Sequence, residues 1–113
     1  MGLFGKKRES KEARLHRELL ERLDGKEMQY VIRRTTDANG APSELVLGKG
    51  GRFIYANGHI SVIAGNDEVF RNEQPETVAC GELMALNGVL IEGYNLLTNA
   101  PDKIVAYYAY YRK

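Results

Sequence analysis

The spacing of hydrophobic residues along the chain changes once, at about Gly25. Residues 10–24 contain no Gly or Pro, and Leu15, Leu19 and Leu23 recur at four-residue spacing. Apolar residues three and four apart share one face of a helix, and a glycine commonly follows the last turn. The pattern predicts an amphipathic helix of about four turns, a length that is only marginally stable in water without tertiary contacts. We therefore expect this leucine stripe to dock onto another surface.

Beyond Gly25 the hydrophobic period shortens to two, which is typical of β-strands. Turn sequences then follow one another at short intervals: Asn39-Gly40, Gly48 to Gly51, Asn57-Gly58, Gly65-Asn66-Asp67, Asn87-Gly88 and Asn99-Ala100-Pro101. Short strands separated by Gly and Asn turns indicate an antiparallel β domain. So many strands in under 90 residues would leave exposed edges unless the sheet curls, closes or splits into two packed layers.

Two hairpins can be given a register from these turns. Asn57-Gly58 supplies the two positive-φ positions of a tight turn, which places Phe53 opposite Val62 on the core face. The same logic at Asn87-Gly88 predicts that Met84 lies opposite Ile91 and Leu83 opposite Glu92. The final strand, 103–112, is apolar on both faces, and such a strand is usually central in its sheet or covered on its second face by a helix or another subunit.

These patterns together predict one mainly β fold: a single antiparallel β-barrel or roll of about seven to eight strands, with one N-terminal amphipathic helix. We divide the chain into residues 1–25, a basic segment and helix, and residues 26–113, the β domain. At 113 residues the chain has the length of one ordinary domain.

The charge balance narrows the choice of partners. The formal net charge is +1, with 16 basic and 15 acidic residues, and the β domain carries nine basic against ten acidic residues. No strong positive field is available there, so we expect no nucleic-acid partner. Residues 1–25 hold a small basic cluster behind two apolar residues, which could contact an anionic membrane surface. That cluster is Lys6, Lys7 and Arg8, preceded by Leu3 and Phe4.

The sequence contains few residues that could act in catalysis or bind a metal. The two histidines, His16 and His59, are far apart in sequence, and Cys80 lies in an apolar strand. Metal sites and nucleophilic catalysis both need several convergent groups, so we predict no metal, no cofactor and no catalytic residue. The glycine run between Lys49 and Arg52 reads as a strand connection with positive-φ glycines, or alternatively as an anion-binding nest that uses these two cations.

The cysteine count and the hydropathy of the chain indicate the cellular compartment in which we expect the protein. A lone cysteine cannot form an internal disulfide, the first residues do not follow a signal-peptide pattern, and no apolar run reaches the ~20 residues that span a bilayer. We expect a cytoplasmic protein, with attachment to the inner face of the membrane as the alternative.

The second half of the chain resembles small proteins of Gram-positive gut bacteria. The resemblance rests on five segments: Lys49-Gly50-Gly51-Arg52-Phe53, Glu68-Val69-Phe70-Arg71, Gly81-Glu82-Leu83-Met84, Asn87-Gly88-Val89 and Ile104-Val105-Ala106-Tyr107-Tyr108. The succession of strands is also similar to bacterial pleckstrin-homology-like domains, which implies a small barrel covered by a helix. Those domains end in a helix, whereas this chain ends in a tyrosine-rich strand.

The functional expectation is a non-enzymatic interaction module with a homo-oligomeric or other protein partner. Its predicted contact surfaces are the leucine stripe of the helix and the tyrosines of the last strand: Tyr107, Tyr108, Tyr110 and Tyr111. Tyrosine suits an interface because it combines a large apolar ring with a polar tip. Two alternatives stay open: a small-ligand-binding barrel that uses Glu82, Glu92 and Tyr94, and a peripheral membrane module.

Overall fold

The computed structural model describes residues 10–109. Helix α1 spans Lys11–Leu23 and is capped by Ser10, whose hydroxyl accepts a hydrogen bond from the Ala13 amide at 3.0 Å. The helix ends before Gly25, which takes a φ of 82° that an L-residue rarely adopts. The predicted N-terminal helix is therefore confirmed, and its start is fixed by a side-chain cap that satisfies one of its free amides.

Within the described residues, eight strands follow the helix, together with a short 3-10 turn at Pro75–Thr77. The strands are β1 (Met28–Thr36), β2 (Pro42–Lys49), β3 (Gly51–Ala56), β4 (His59–Ala64), β5 (Asp67–Asn72), β6 (Ala79–Glu82), β7 (Gly88–Asn95) and β8 (Ala100–Tyr108). They form a five-stranded sheet in the order β2-β1-β8-β7-β6 and a three-stranded sheet in the order β3-β4-β5. All pairings are antiparallel, so the mainly β, antiparallel prediction is confirmed.

The first hairpin has the predicted register. Phe53 lies opposite Val62 and Tyr55 opposite Ile60. Phe53, Val62 and Ile60 are fully buried, so the face chosen from the sequence is the core face. Asn57 and Gly58 both have positive φ, as the two-residue turn between these strands requires.

The second hairpin exists, but its predicted register is wrong by four residues. Ala79, not Leu83, lies opposite Glu92, and β6 ends at Glu82. Gly88 is not a turn residue: it belongs to β7, where an added Cβ would lie 2.6 Å from the Ala106 carbonyl oxygen. The glycine thus permits close strand contact, and residues 83–87 form a longer loop.

Of the predicted barrel or roll, a closed barrel is not formed, since the described strands form two separate sheets. At the open seam, two buried asparagines replace a strand pairing between β5 and β7. Asn95 Nδ2 donates to the Val69 carbonyl oxygen at 2.8 Å, and Asn72 Nδ2 donates to the Tyr94 carbonyl oxygen at 2.8 Å. Buried side-chain amides can satisfy main-chain groups where two strands do not form a full ladder of hydrogen bonds.

The hydrophobic core lies between the two sheets and is covered by α1. Its helical members are Leu20 and Leu23, and the largest rings within it are Phe53 and Phe70. Strand β8 runs through the middle of the five-stranded sheet, as its apolar pattern predicts, and Val105 is fully buried there. Helix and strands therefore share one core.

Candidate interaction surface

Most of the leucine stripe that was predicted as a contact surface packs against other parts of the same chain. Leu23 is buried and Leu19 is partly buried against the core, whereas Leu15 is 52% exposed. Leu20, which the predicted stripe omitted, is fully buried. Compared with the predicted stripe, the buried face of the helix is thus rotated toward Leu20, the residue after Leu19. This face packs on the two sheets of the same chain. Leu15 is the one member of the predicted stripe that remains on the surface.

The tyrosine-rich strand is divided between the two faces of its sheet. Tyr108 faces the core at 8% exposure, and its hydroxyl donates to Glu82 Oε2 at 2.9 Å. Lys26 Nζ lies 4.8 Å from the centre of the Tyr108 ring, a distance at which a cation is attracted to an aromatic face. Burial, and then the hydrogen bond to Glu82, raise the pKa of Tyr108 well above its usual range. Tyr110 and Tyr111 lie outside the described residues.

Tyr107 lies on the opposite, outer face of the five-stranded sheet. It stacks on Tyr30 with ring centroids 4.7 Å apart. On the same face Val105 lies opposite Ile32 and Leu90. Val105 and Ile32 are buried but do not belong to the cluster between the sheets. The outer face therefore carries a second, smaller apolar layer, with half-buried tyrosines at one end.

Strand β2 forms one edge of the same sheet, and its centre is apolar and exposed. Leu45 is 59% and Val46 is 55% exposed, and they lie on opposite faces of the sheet. Leu47 is partly buried against the core. Natural edge strands usually discourage pairing with other chains through charges or proline in their centres. Here Pro42, Glu44 and Lys49 are near the ends of the strand, so no charge or proline interrupts its middle.

This strand is not among the contact surfaces predicted from the sequence. A signal for it was present, because Leu45-Val46-Leu47 places three apolar residues in succession in a short strand. Such a run indicates a strand that is apolar on both faces. Periodicity alone could not tell a central strand from an edge strand, and only the sheet order makes the run an exposed one.

The groups predicted for a ligand inside a barrel do not converge. Glu82 is bound to Tyr108, while Glu92 and Tyr94 lie on the outer face of the sheet and are exposed. Core side chains fill the space between the sheets. Two of these three polar groups therefore point away from the core.

A surface cleft of about 640 Å³ opens where β1 and β8 diverge, beyond the pairing of Arg33 with Ile104. Its charged side chains are already paired. Arg33 Nε donates to Asp102 Oδ1 at 3.0 Å, and Lys103 Nζ lies 3.9 Å from a Glu92 oxygen. Paired charges leave little net field to attract an ionic ligand.

Cys80 and His16 line a smaller surface cleft of about 320 Å³. Burial raises the pKa of the Cys80 thiol from its ordinary value of 9.0 to about 12. The thiolate is the reactive form of cysteine, and a thiol with so high a pKa stays protonated near neutral pH. His16 Nε2 donates to the Pro75 carbonyl oxygen at 3.1 Å. Cys80 and His16 are therefore not arranged as a nucleophile with its general base.

The raised pKa of Cys80 predicts a loss of stability in alkali. The folded protein keeps this proton while the unfolded chain releases it, so the stabilisation is complete below pH 9 and declines as the pH rises toward 12. We expect the free energy of unfolding of the wild type to fall more steeply than that of Cys80→Ala, by up to about 1.4 kcal/mol per pH unit. Urea unfolding of both proteins across pH 9 measures this. Equal slopes would contradict the assignment of this alkaline loss to Cys80.

The remaining predicted cations are only partly described. Lys49 and Arg52 are exposed at the two ends of the connection between β2 and β3. The glycines between them have φ of 78° and 115°, as predicted for a strand connection, and the Gly50 amide donates to the Gln29 carbonyl oxygen at 2.8 Å. Lys6, Lys7 and Arg8 lie outside the described residues.

No helix within residues 10–109 has the length and apolar character needed to cross a bilayer. No group of three His, Cys, Asp or Glu side chains in the same range is placed to hold a metal ion. No family model, curated protein or solved structure matches the chain.

Proposed function

We propose that this protein is a non-enzymatic interaction module that associates with itself. The observation that carries the proposal is the exposed apolar centre of edge strand β2, at Leu45 and Val46. An edge strand presents a row of main-chain donors and acceptors, and apolar side chains along it favour pairing with another strand. The cytoplasmic location expected from the sequence belongs to the same proposal.

The outer face of the five-stranded sheet supports this proposal. Its apolar layer around Val105 and Ile32 continues to Val46 on β2, because Val46 lies opposite Ile32. A surface that combines a free strand edge with an adjoining apolar face can bury more area than either feature alone. Specific interfaces bury roughly 1,200–2,000 Å² in total, which a strand edge without neighbouring side chains rarely reaches.

The similarity to pleckstrin-homology-like domains is part of the proposal at the level of architecture. Two antiparallel sheets packed face to face with one covering helix suit a rigid scaffold that presents loops and edges to partners. In this chain the covering helix precedes the strands. We infer a scaffold of that general kind, with the β2 edge as its contact region.

Replacing Val46 with lysine tests the proposal. Light scattering should show the wild type approaching twice the 12.7 kDa chain mass as its concentration rises, while Val46→Lys stays monomeric. A lysine on the edge places a charge where a second apolar strand would lie, and edge lysines are a common natural barrier to pairing. Val46 is 55% exposed in the single chain, so the variant should fold.

Met84→Lys is the matched control. Met84 is a fully exposed apolar residue in the loop between β6 and β7, away from the β2 edge. This variant should associate like the wild type. A wild type that remains monomeric at every concentration would overturn the proposal, and so would equal loss of association in both variants.

A further inference from the structure

We propose that the partner at β2 is the same strand of a second copy, paired antiparallel about a two-fold axis at Val46. The two five-stranded sheets would then join into one continuous sheet of ten strands. This inference rests on the proposed self-association through the β2 edge and adds the partner strand, the symmetry and the register. A two-fold contact requires a surface that is complementary to itself, and three features of β2 meet that requirement.

The first feature is the bulge in β2. Ile32 lies opposite Val46 and Val31 opposite Gly48, so Leu47 is the extra residue. Leu47 packs toward the core, and a Cβ on Gly48 would contact Ala64 at 2.9 Å, so both face the second sheet. The bulge restores Lys49 to the outer face, opposite Tyr30. A bulge of this kind puts two residues opposite one on the neighbouring strand.

With this bulge, a register centred on Val46 matches both faces of the sheet. Val46 then lies opposite Val46 of the second copy on the outer face. On the core-facing side, Leu45 lies opposite Leu47 and Gly48 of the second copy. Within one chain, Val31 of β1 lies opposite the same two residues. Directly opposed side chains on one face are the pairs that stabilise a sheet. Leu45, exposed in the single chain, gains an apolar neighbour in this arrangement.

The second and third features are the charges at the two ends of the apolar run. In the same register, Glu44 lies opposite Lys49 of the second copy, and both are on the outer face. Within one chain, Arg34 Nε donates to Glu44 Oε2 at 3.2 Å. Lys49 has no ion-pair partner among residues 10–109. Pairing would therefore give each Glu44 a second neighbouring cation and each Lys49 a neighbouring carboxylate. The two-fold axis makes this contact occur twice in the dimer.

Exchanging these charges tests the register. Lys49→Glu puts two carboxylates opposite each other at both ends of the contact, so we expect the dissociation constant to rise about three- to tenfold at low salt. The double variant Glu44→Lys with Lys49→Glu should recover affinity to within about twofold of the wild type, since opposed like charges are replaced by opposite ones. Lys103→Glu, an exposed lysine on the same face but on β8, is the control and should leave the dissociation constant unchanged.

Cysteine cross-linking tests the symmetry. In a Cys80→Ala background, Val46→Cys should form a disulfide-linked dimer under mild oxidation, because opposed residues have Cβ atoms close enough for a disulfide. Met84→Cys in the same background should not cross-link at equal protein concentration. Circular dichroism of each variant confirms that it is folded before its association is measured.

The outcomes separate this inference from the proposed function. A wild type that dimerises, combined with no effect of Lys49→Glu and no cross-link from Val46→Cys, would overturn the β2 pairing and leave self-association standing. A wild type that is monomeric throughout would overturn both. Recovery in the double variant together with the Val46→Cys cross-link supports the pairing, its register and its axis.

Discussion

Replacing Asn95 with alanine is expected to lower the free energy of unfolding by about 3 kcal/mol or more, because each buried polar group left without a partner costs about 1–3 kcal/mol. Asn95 is fully buried, and all its hydrogen-bonding positions are used. Its Nδ2 donates to the Val69 carbonyl oxygen and to Asp102 Oδ2, and its Oδ1 accepts from the amides of Arg71 and Leu97. Alanine would open the seam between the two sheets. Urea unfolding measures the loss.

Asn66→Ala is the control for this substitution. Asn66 is an exposed asparagine in the turn between β4 and β5, and surface substitutions of this kind usually change stability by less than about 0.5 kcal/mol. If the two alanine variants were equally stable, Asn95 would not be the link that joins the sheets. Its hydrogen bonds would then be replaced by water without cost.

Truncating Leu20 to alanine should be the second large effect, with an expected loss of about 2–5 kcal/mol, the range typical for buried leucines. Leu20 is 1% exposed and lies in the core that α1 covers. The loss combines the removal of apolar surface from contact with its neighbours and the cavity left behind. Thermal or urea unfolding followed by circular dichroism measures it.

Leu15→Ala on the same helix is the matched control. Leu15 is 52% exposed, and alanine has the highest helix propensity, so the change should alter stability by less than about 0.5 kcal/mol. A Leu15→Ala variant as unstable as Leu20→Ala would mean that the helix docks through the face chosen from the sequence. The contrast between the two leucines therefore decides which face of α1 is buried.

The two leucines also show how far periodicity predicts helix docking. The helix itself was predictable from the spacing of its leucines. Two sets of leucines, however, fit one face of a helix. One set is Leu15, Leu19 and Leu23 at four-residue steps, and the other is Leu19, Leu20 and Leu23 at mixed steps. The choice depends on where the sheets lie, which the helical pattern does not contain. The tight Asn57-Gly58 hairpin was predictable to the residue because its two-residue turn fixes the register.

The elements that sequence reasoning missed depend on contacts between distant residues. Gly88 resembles a turn glycine in sequence, yet it serves the close approach of β7 to β8 at Ala106. The open seam depends on Asn95, whose partners Val69 and Arg71 lie on β5. The exposure of Val46 follows from the position of β2 in the sheet order. Local turn chemistry and period carry none of this information.

Amide hydrogen exchange at several protein concentrations tests the central proposal most directly. If copies pair through β2, the outward-facing amides of residues 43–49 should exchange more slowly as concentration rises, because pairing gives them hydrogen-bond acceptors. Amides at the centre of the sheet, in β8, should exchange at a rate independent of concentration and serve as the internal reference. Exchange in β2 that does not change with concentration, in a sample that light scattering shows to be dimeric, would contradict association through this edge.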